Sequence, residues 1–447
     1  MMASSFSRTL KFSDAVFINL GAIIGAGIFV IIGVSAAAAG PAVLLSIPLA
    51  AMVAIFTGIS FSKVARHVDK EGGVYEYGKE ALNPYAGFIG GTLWTYGNII
   101  ALSAVSISFG GYLDSLFNSK FPVIFIAVAI VVSFGILNAL GIKNSAKTLR
   151  LIVFVNVSIL VLFTSIGLLF FHPAHLNNFF AKGGYGVISG AAIIYFAFSG
   201  FSRVTTVSEE VMNPERTIPK AIIVSILISA MLYFLISLAA VGLVTPENLA
   251  TSMSPLALAS SKTGQLFLVE IVSVGALVAT SGVILTGILG TSRVMFAMGR
   301  DHEVPQTLSK LDRFSTPILA IIVSVILAIA MMPVASFGTI VEASNTCVLS
   351  AYFIINIAAI KTHMKYMKLS RNSQSNGRFS KFYLVPISGL VSIFIFFVFL
   401  GFESIIIAGI VFVLATSYYV VRLKLQGKGR SPPYHSKVRL FGRSRAH

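Results

Sequence analysis

The 447-residue chain is 56% hydrophobic and 11% charged, and its 33 Lys and Arg against 16 Asp and Glu give a formal net charge of +17. A soluble domain carries roughly 25% charged residues, so this composition excludes a soluble globular enzyme and points to an all-α, polytopic integral membrane protein. The one cysteine, Cys347, excludes an intrachain disulfide and a cysteine-built metal cage.

Residues 1–12 form a short N-terminal segment expected on the cytoplasmic side. Hydropathy then predicts about twelve membrane-spanning helices, each able to cross about 30 Å of hydrocarbon. The spans fall near residues 13–37, 41–64, 85–113, 121–140, 150–171 and 185–208, then 218–244, 265–297, 317–333, 336–360, 382–400 and 402–423. No cleaved signal peptide is expected, because the first run is long enough to span and lacks a small-residue cleavage site after it.

The first span contains GAIIGAGIF, Gly21 to Phe29, with three glycines in nine residues. Glycine costs roughly 1 kcal/mol against alanine inside a helix, and lipid offers no partner for a freed backbone group. The segment therefore reads either as a break in the helix or as a small-residue packing face, which Gly21 and Gly25 also fit. The connection after the second span, Lys63 to Leu82, carries EGGVYEYGKEAL with Gly72 and Gly73. The sixth span contains FAFSGF, Phe196 to Phe201, a second weak point five spans after the first. It runs into SEEVMNPERTIPKAI, where Glu209 and Glu210 stand near Arg203, Arg216 and Lys220 and read as inner-surface ion pairs or as part of an inner gate. The eighth span offers the hydroxyls of Thr280 and Ser281, and GRDHEVP, Gly299 to Pro305, follows it. The tenth holds Glu342 in a polar run with Ser344, Asn345 and Thr346, an intramembrane carboxylate and hence a functional candidate. Glu342 reads as a coupling or attracting group, or as a carboxylate reaching the outer interface.

The net charge resolves once it is mapped on the loops. With both termini in the cytoplasm, only Lys120, Lys182 and Lys262 fall outside, as the positive-inside rule requires. Lys361, Lys365, Lys368, Arg371, Arg378 and Lys381 cluster between the tenth and eleventh spans, and residues 424–447 form a basic cytoplasmic tail. These charges suit anionic lipids at the cytoplasmic face rather than nucleic acid. No firm metal site and no cofactor are indicated; His172 and His175 merely lie close together in an outer loop.

Broken spans at corresponding positions of two halves point to a transporter site at the bilayer midplane. Because five spans separate them, a repeat relating spans one to five (13–171) to spans six to ten (185–360) must be inverted, leaving spans eleven and twelve (382–423) as an appendage. A half-helix start attracts a carboxylate through its free N–H groups, and a half-helix end attracts an ammonium through its C=O groups. The N–H groups of Ala26 and Gly27 are the carboxylate candidates, and the C=O groups of Ile23 and of the segment around Phe196 are the amine candidates.

GAIIGAGIF, EGGVYEYG, FAFSGF with the following EE and NPERTIPKAI, and TSRVMFAMGRD (Thr291 to Asp301) occur in the order found in the amino acid–polyamine–organocation superfamily of transporters, which the chain resembles over roughly residues 13–360. The resemblance implies the LeuT-type five-plus-five inverted-repeat fold, with discontinuous helices one and six, and amino-acid transport by alternating access. It implies substrate-backbone contacts at Ile23, Gly25, Ala26 and Gly27, an aromatic gate at Phe196 and a backbone contact near Ser199. It also makes Asn98, in WTYGNIIALSAV, a specificity candidate, with an interhelical hydrogen bond as the alternative. Two positions depart from the family pattern. Asn156 stands where proton-coupled members carry a lysine in the fifth span, and Ser202 stands where an aspartate often follows the sixth-span break. The coupling ion, H⁺ or Na⁺, is thus open, with Thr280 and Ser281 as sodium-ligand candidates beside first-span carbonyls. The expectation is a secondary amino-acid transporter of the cytoplasmic membrane and not an enzyme. Exchange of an amino acid for a polyamine and sodium-coupled symport are the alternatives. A channel would need a polar lining stripe, which the spans lack.

Overall fold

The computed structural model describes residues 8–25, 27–68, 70, 72–117, 122–140, 142–252, 254–314, 316–333, 337–369 and 378–425. Among these residues there is no regular strand. Long apolar runs must satisfy their backbone within themselves, which a helix does. Sixteen α-helices result among the described residues. The first eight are α1 (Phe12–Ile23), α2 (Ile32–Ala39), α3 (Val43–Ala65), α4 (Val74–Ala81), α5 (Pro84–Phe117), α6 (Val123–Ala139), α7 (Ile142–Leu169) and α8 (Gly183–Phe198). The rest are α9 (Pro214–Leu243), α10 (Pro246–Ala250), α11 (Pro255–Ser261), α12 (Leu266–Arg300), α13 (Ile318–Met331), α14 (Phe337–Leu369), α15 (Arg378–Phe399) and α16 (Phe402–Leu425).

Among the described residues, eight helical runs are long and apolar enough to cross a membrane, the first of them the 54-residue stretch Phe12–Ala65, and three shorter apolar helices accompany them. That first stretch bends where Gly40 takes a positive φ of 63° and Pro41 follows, so α1 and α2 belong to one arm and α3 to the next.

The most buried spans are those of α1 to α3, α5, α8 and α14. Helix α5 packs on α12 and α14, α3 packs on α8 and α9, and α1 packs on α7, α9 and α12. Helix α16 leans on α5 and α14 from outside and turns Phe402, Ile410, Val413, Leu414 and Val421 outward. A face this apolar suits lipid and would be a liability in water.

Two devices gather one end of the bundle. Gly72 and Gly73 take positive φ values of 118° and 52°, which a side chain would strain. The chain therefore doubles back after α3 and lays α4 along α5. At the same end the N-terminal segment pairs with the chain beyond α8: the Leu10 N–H donates to the Glu210 C=O at 2.9 Å and the Met212 N–H to the Leu10 C=O at 2.8 Å.

Candidate functional site

Two helices are interrupted in the middle of the bundle, at the two glycine-bearing segments. Helix α1 stops at Ile23, where Ile24 leaves the helical region with φ −79° and ψ 87°. Ala26 lies outside the described residues, and a wide π-turn, Gly27–Ile31, leads into α2. Helix α8 stops at Phe198, and the chain continues as a 3₁₀ segment, Ser199–Glu210, with Val207 out of helical geometry at φ −119° and ψ 28°.

The interruptions lie against each other. A Cβ added at Gly27 would fall 2.6 Å from the Ala197 Cα, and one at Gly200 would fall 2.5 Å from the backbone C and O of Ala22. Each glycine is where the other helix's backbone passes, which no larger residue permits without moving it. Gly25 faces α12 in the same way, with Val283 in the space its side chain would take.

A broken helix frees carbonyls that need donors, and side chains from other helices supply them. The Tyr233 hydroxyl of α9 donates to the Ile23 C=O at 2.6 Å, with the Ala197 C=O 3.3 Å away, so one hydroxyl ties both interruptions. Asn156 Nδ2 of α7 donates to the Ile24 C=O at 3.2 Å. Its Oδ1 is buried with no hydrogen-bond partner among the described residues. Tyr112 of α5 donates to the Phe29 C=O at 2.7 Å. Tyr352 of α14 donates to the Ser199 C=O at 2.7 Å, and Ser199 Oγ donates to the Phe196 C=O at 2.8 Å. Phe196 is itself buried.

A polar chain runs on from there. With its proton on Ser199, the Tyr352 Oη accepts from Ser202 Oγ at 2.7 Å, and the Trp94 indole N–H donates to Ser202 Oγ at 3.3 Å. Asn98 Nδ2 donates to the Trp94 C=O at 2.8 Å, and Asn98 Oδ1 accepts from Arg203 Nη2 at 2.7 Å. The structure thus brings Ile23, Gly25, Gly27, Asn156, Phe196, Ser199, Ser202 and Asn98 into one buried region.

Three other candidates have local partners. Thr280 and Ser281 donate back to the carbonyls of Ala276 and Leu277 in their own helix, each at 2.7 Å, the usual habit of a hydroxyl in a span. Glu342 Oε2 accepts from the Gly401 N–H at 2.9 Å and so joins α14 to the start of α16.

Sequence reasoning missed Tyr233, Tyr112, Tyr352 and Trp94, since an aromatic in an apolar run carries no mark of the carbonyl or hydroxyl it reaches. It also misgrouped Arg203 with the loop charges. Glu209 in fact pairs with Arg300 at 3.2 Å and Glu210 with Arg293 at 3.4 Å, while Arg203 is buried beside Asn98. The signal was present, because Arg203 falls inside the hydropathy span 185–208.

The remaining charges form a cluster where α4 meets the end of α12. Arg300 reaches Glu76 at 3.4 Å, Lys79 pairs with Asp301 and stands 3.9 Å from Glu76, and the Tyr75 hydroxyl donates to Asp301 at 2.7 Å. Burial pushes the Glu76 carboxyl up to about 7, with the Lys79 charge pulling the other way. Burial also works against the Asp301 carboxylate, but the hydrogen bond and charge of Lys79 hold it below its ordinary value. Arg422 of α16 pairs with Glu303 and donates to the His302 C=O at 3.0 Å, which ties the last helix to the same cluster.

The chain matches the model of a family described as amino acid permease over residues 10–421. It is 31% identical to a branched-chain amino acid permease of Bacillus subtilis over 418 residues, 89% of this chain and 88% of that one. It is 32% identical to an uncharacterized transporter of Mycobacterium tuberculosis over 426 residues, 95% of this chain and 93% of that one. A methylthioribose transporter of Bacillus subtilis is 30% identical over 386 residues, 82% of this chain and 84% of that one.

Proposed function

The chain belongs to the amino acid permease family, and on that premise we propose that it is a secondary active transporter carrying an amino acid across the cytoplasmic membrane by alternating access. It is a multi-pass membrane transporter and not an enzyme. Counting Phe12–Ala65 as two crossings and the three shorter apolar helices as one each gives twelve spans. In this reading 13–171 and 185–360 are inverted repeats, 382–423 is appended, and both termini with the basic tail 424–447 face the cytoplasm and its anionic lipids. The tail beyond residue 425 lies outside the described residues.

One observation carries the proposal: two interrupted helices meet in the bundle interior through Gly27 on Ala197 and Gly200 on Ala22. The start of the half-helix at Gly27, with Ala26 and Gly25, holds the substrate carboxylate. The Ile23 C=O and the carbonyls near Phe196 hold the α-ammonium. A carbonyl oxygen has two lone pairs, so Ile23 can keep its bond from Tyr233 and accept a second. Phe196 covers the site, and Ser199 supplies a further backbone contact. The coupling ion is H⁺ or Na⁺, with Asn156, Ser202, Thr280, Ser281 and Glu342 as the groups to test. Exchange of one solute for another is the alternative to symport.

The test is uptake of labelled amino acids into proteoliposomes, paired with a thermal-shift screen of the amino acids with and without sodium. A ligand that binds the folded state raises its apparent stability. Uptake of chemically unchanged solute is expected, with loss of ligand-induced stabilisation in Gly27→Leu and weakened stabilisation in Phe196→Ala. Full ligand response in both variants would remove the interruptions from the site.

A further inference from the structure

Arg203 is a charged group that the transport reading leaves without a role. It lies inside the span Gly183–Glu210 and is only 4% exposed. A buried cation is costly unless an opposite charge meets it, yet among the described residues no carboxylate pairs with this guanidinium. It is held by other means. Nη2 donates to Asn98 Oδ1 at 2.7 Å, and the guanidinium lies 5.0 Å from the Trp94 ring centroid. Such a cation–π contact offsets part of the desolvation. Gly290 of α12 makes the room, since a Cβ there would fall 2.3 Å from Nη1. Nε and Nη1 are buried without a hydrogen-bond partner among the described residues.

Arg203 also lies on the same segment as the interruption. Four residues of 3₁₀ helix separate its backbone from that of Ser199, a rise of about 8 Å, which is within the combined length of an arginine and a short acidic side chain. The chain of Tyr352, Ser202 and Trp94 joins the two points. An arginine whose own donors lack an acceptor makes short, charge-assisted hydrogen bonds to a carboxylate brought to it.

We propose that Arg203 is the side-chain specificity site of this transporter, and that its guanidinium receives the side-chain carboxylate of an acidic amino acid, aspartate or glutamate. The inference rests on the reading of the two interruptions as the substrate-backbone site. It assigns Asn98 the task of holding Arg203 in place, so Asn98 acts through the arginine. A lysine, arginine or polyamine would set a second cation beside Arg203 and is rejected by repulsion.

The experiment is a binding titration of the purified full-length protein with L-glutamate, L-aspartate, L-glutamine, L-leucine and L-lysine, in chloride and in gluconate buffers. Glutamate or aspartate is expected to bind at least tenfold more tightly than glutamine, equally in both buffers, and lysine not at all. Arg203→Gln is expected to weaken binding of the acidic amino acid at least tenfold and to erase its advantage over glutamine, with Arg203→Lys keeping part of it. Glutamine or leucine binding as tightly as glutamate would overturn the proposal. So would an unchanged glutamate affinity in Arg203→Gln, or stabilisation by chloride in place of the acidic amino acid. If Arg203→Gln does not fold, the selectivity of the unaltered protein decides. A protein that binds neutral amino acids and refuses acidic ones defeats this inference alone, whereas one that binds no amino acid defeats the transport reading as well.

Discussion

Tyr233 does with one hydroxyl what lipid cannot do for a broken helix. It donates to the Ile23 C=O and sits within reach of the Ala197 C=O, and it is fully buried. Tyr233→Phe keeps the ring's packing and removes only the donor, so the Ile23 carbonyl is left buried and unpaired. That loss is worth about 1–3 kcal/mol, and thermal unfolding in detergent should show it as a lowered midpoint. Ser199→Ala removes a bond to a carbonyl three residues back in the same chain, and the expected cost is under about 1 kcal/mol. Equal midpoints for the two variants would mean that the interruptions do not depend on donors from other helices. Gly200→Ala should be worse than Ser199→Ala, because the new Cβ meets Ala22 backbone at 2.5 Å and backbone cannot rotate away. About 1–3 kcal/mol is the usual cost of such overpacking. Gly27 and Gly200 were legible in the sequence because glycine inside a span needs a reason. Tyr233 and Trp94 were not, since their partners, the Ile23 carbonyl and the Ser202 hydroxyl, are set by tertiary contact.

The 3₁₀ segment Ser199–Glu210 is two pieces joined across a kink at Val207, and the first piece, residues 199–206, already exceeds the three or four residues that are usual. Its sequence shows why an α-helix loses here. Val204, Thr205, Thr206 and Val207 are β-branched in succession, which restricts their rotamers in an α-helix. Thr205, Thr206 and Ser208 donate to the carbonyls three residues back, of Ser202, Arg203 and Thr205, at 2.7–2.8 Å. Side-chain bonds of this kind compete with the α-helical ladder. Poorer hydrogen-bond geometry makes the segment the weak part of its arm. Its amides should therefore exchange with deuterium at least about tenfold faster than those of the equally buried part of α9, as local stability follows hydrogen bonding as well as burial. Replacing both Thr205 and Thr206 with alanine should slow that exchange and lower transport turnover together; slower exchange with unchanged turnover would separate the 3₁₀ geometry from the transport cycle. Hydropathy placed the span that contains this segment at 185–208, against Gly183–Glu210 in the structure. It carried no sign of the helix type, because apolar periodicity cannot separate a tight helix from an ordinary one at this length.

At the scale of the whole molecule, the alternating-access proposal makes the charge cluster of α4 and α12 the closure of the end that we assign to the cytoplasm. Glu76 is fully buried there, against Arg300, Lys79 and Asp301, with Lys70 nearby. In that proposal, opening parts α4 from the end of α12 and returns Glu76 to water and to its ordinary value of 4.5 from about 7. The closed form therefore holds the Glu76 proton more tightly than the open form. By linkage, protons stabilise whichever state binds them better, so acidification through pH 7 favours closure and the gain levels off below pH 4.5. With one unit worth about 1.4 kcal/mol, moving from pH 7.5 to pH 6 shifts the equilibrium toward the closed form on the order of tenfold. A cysteine placed at Ser208, buried behind the cluster, reports this through its alkylation rate. Glu76→Gln supplies the control, as it is neutral at every pH and leaves only the thiol's own titration. The parent should lose about tenfold more reactivity than Glu76→Gln between those two pH values. Coincident profiles would mean that Glu76 keeps the same protonation in both states, and the closure of this end would then rest on Arg300, Lys79 and Asp301 without it.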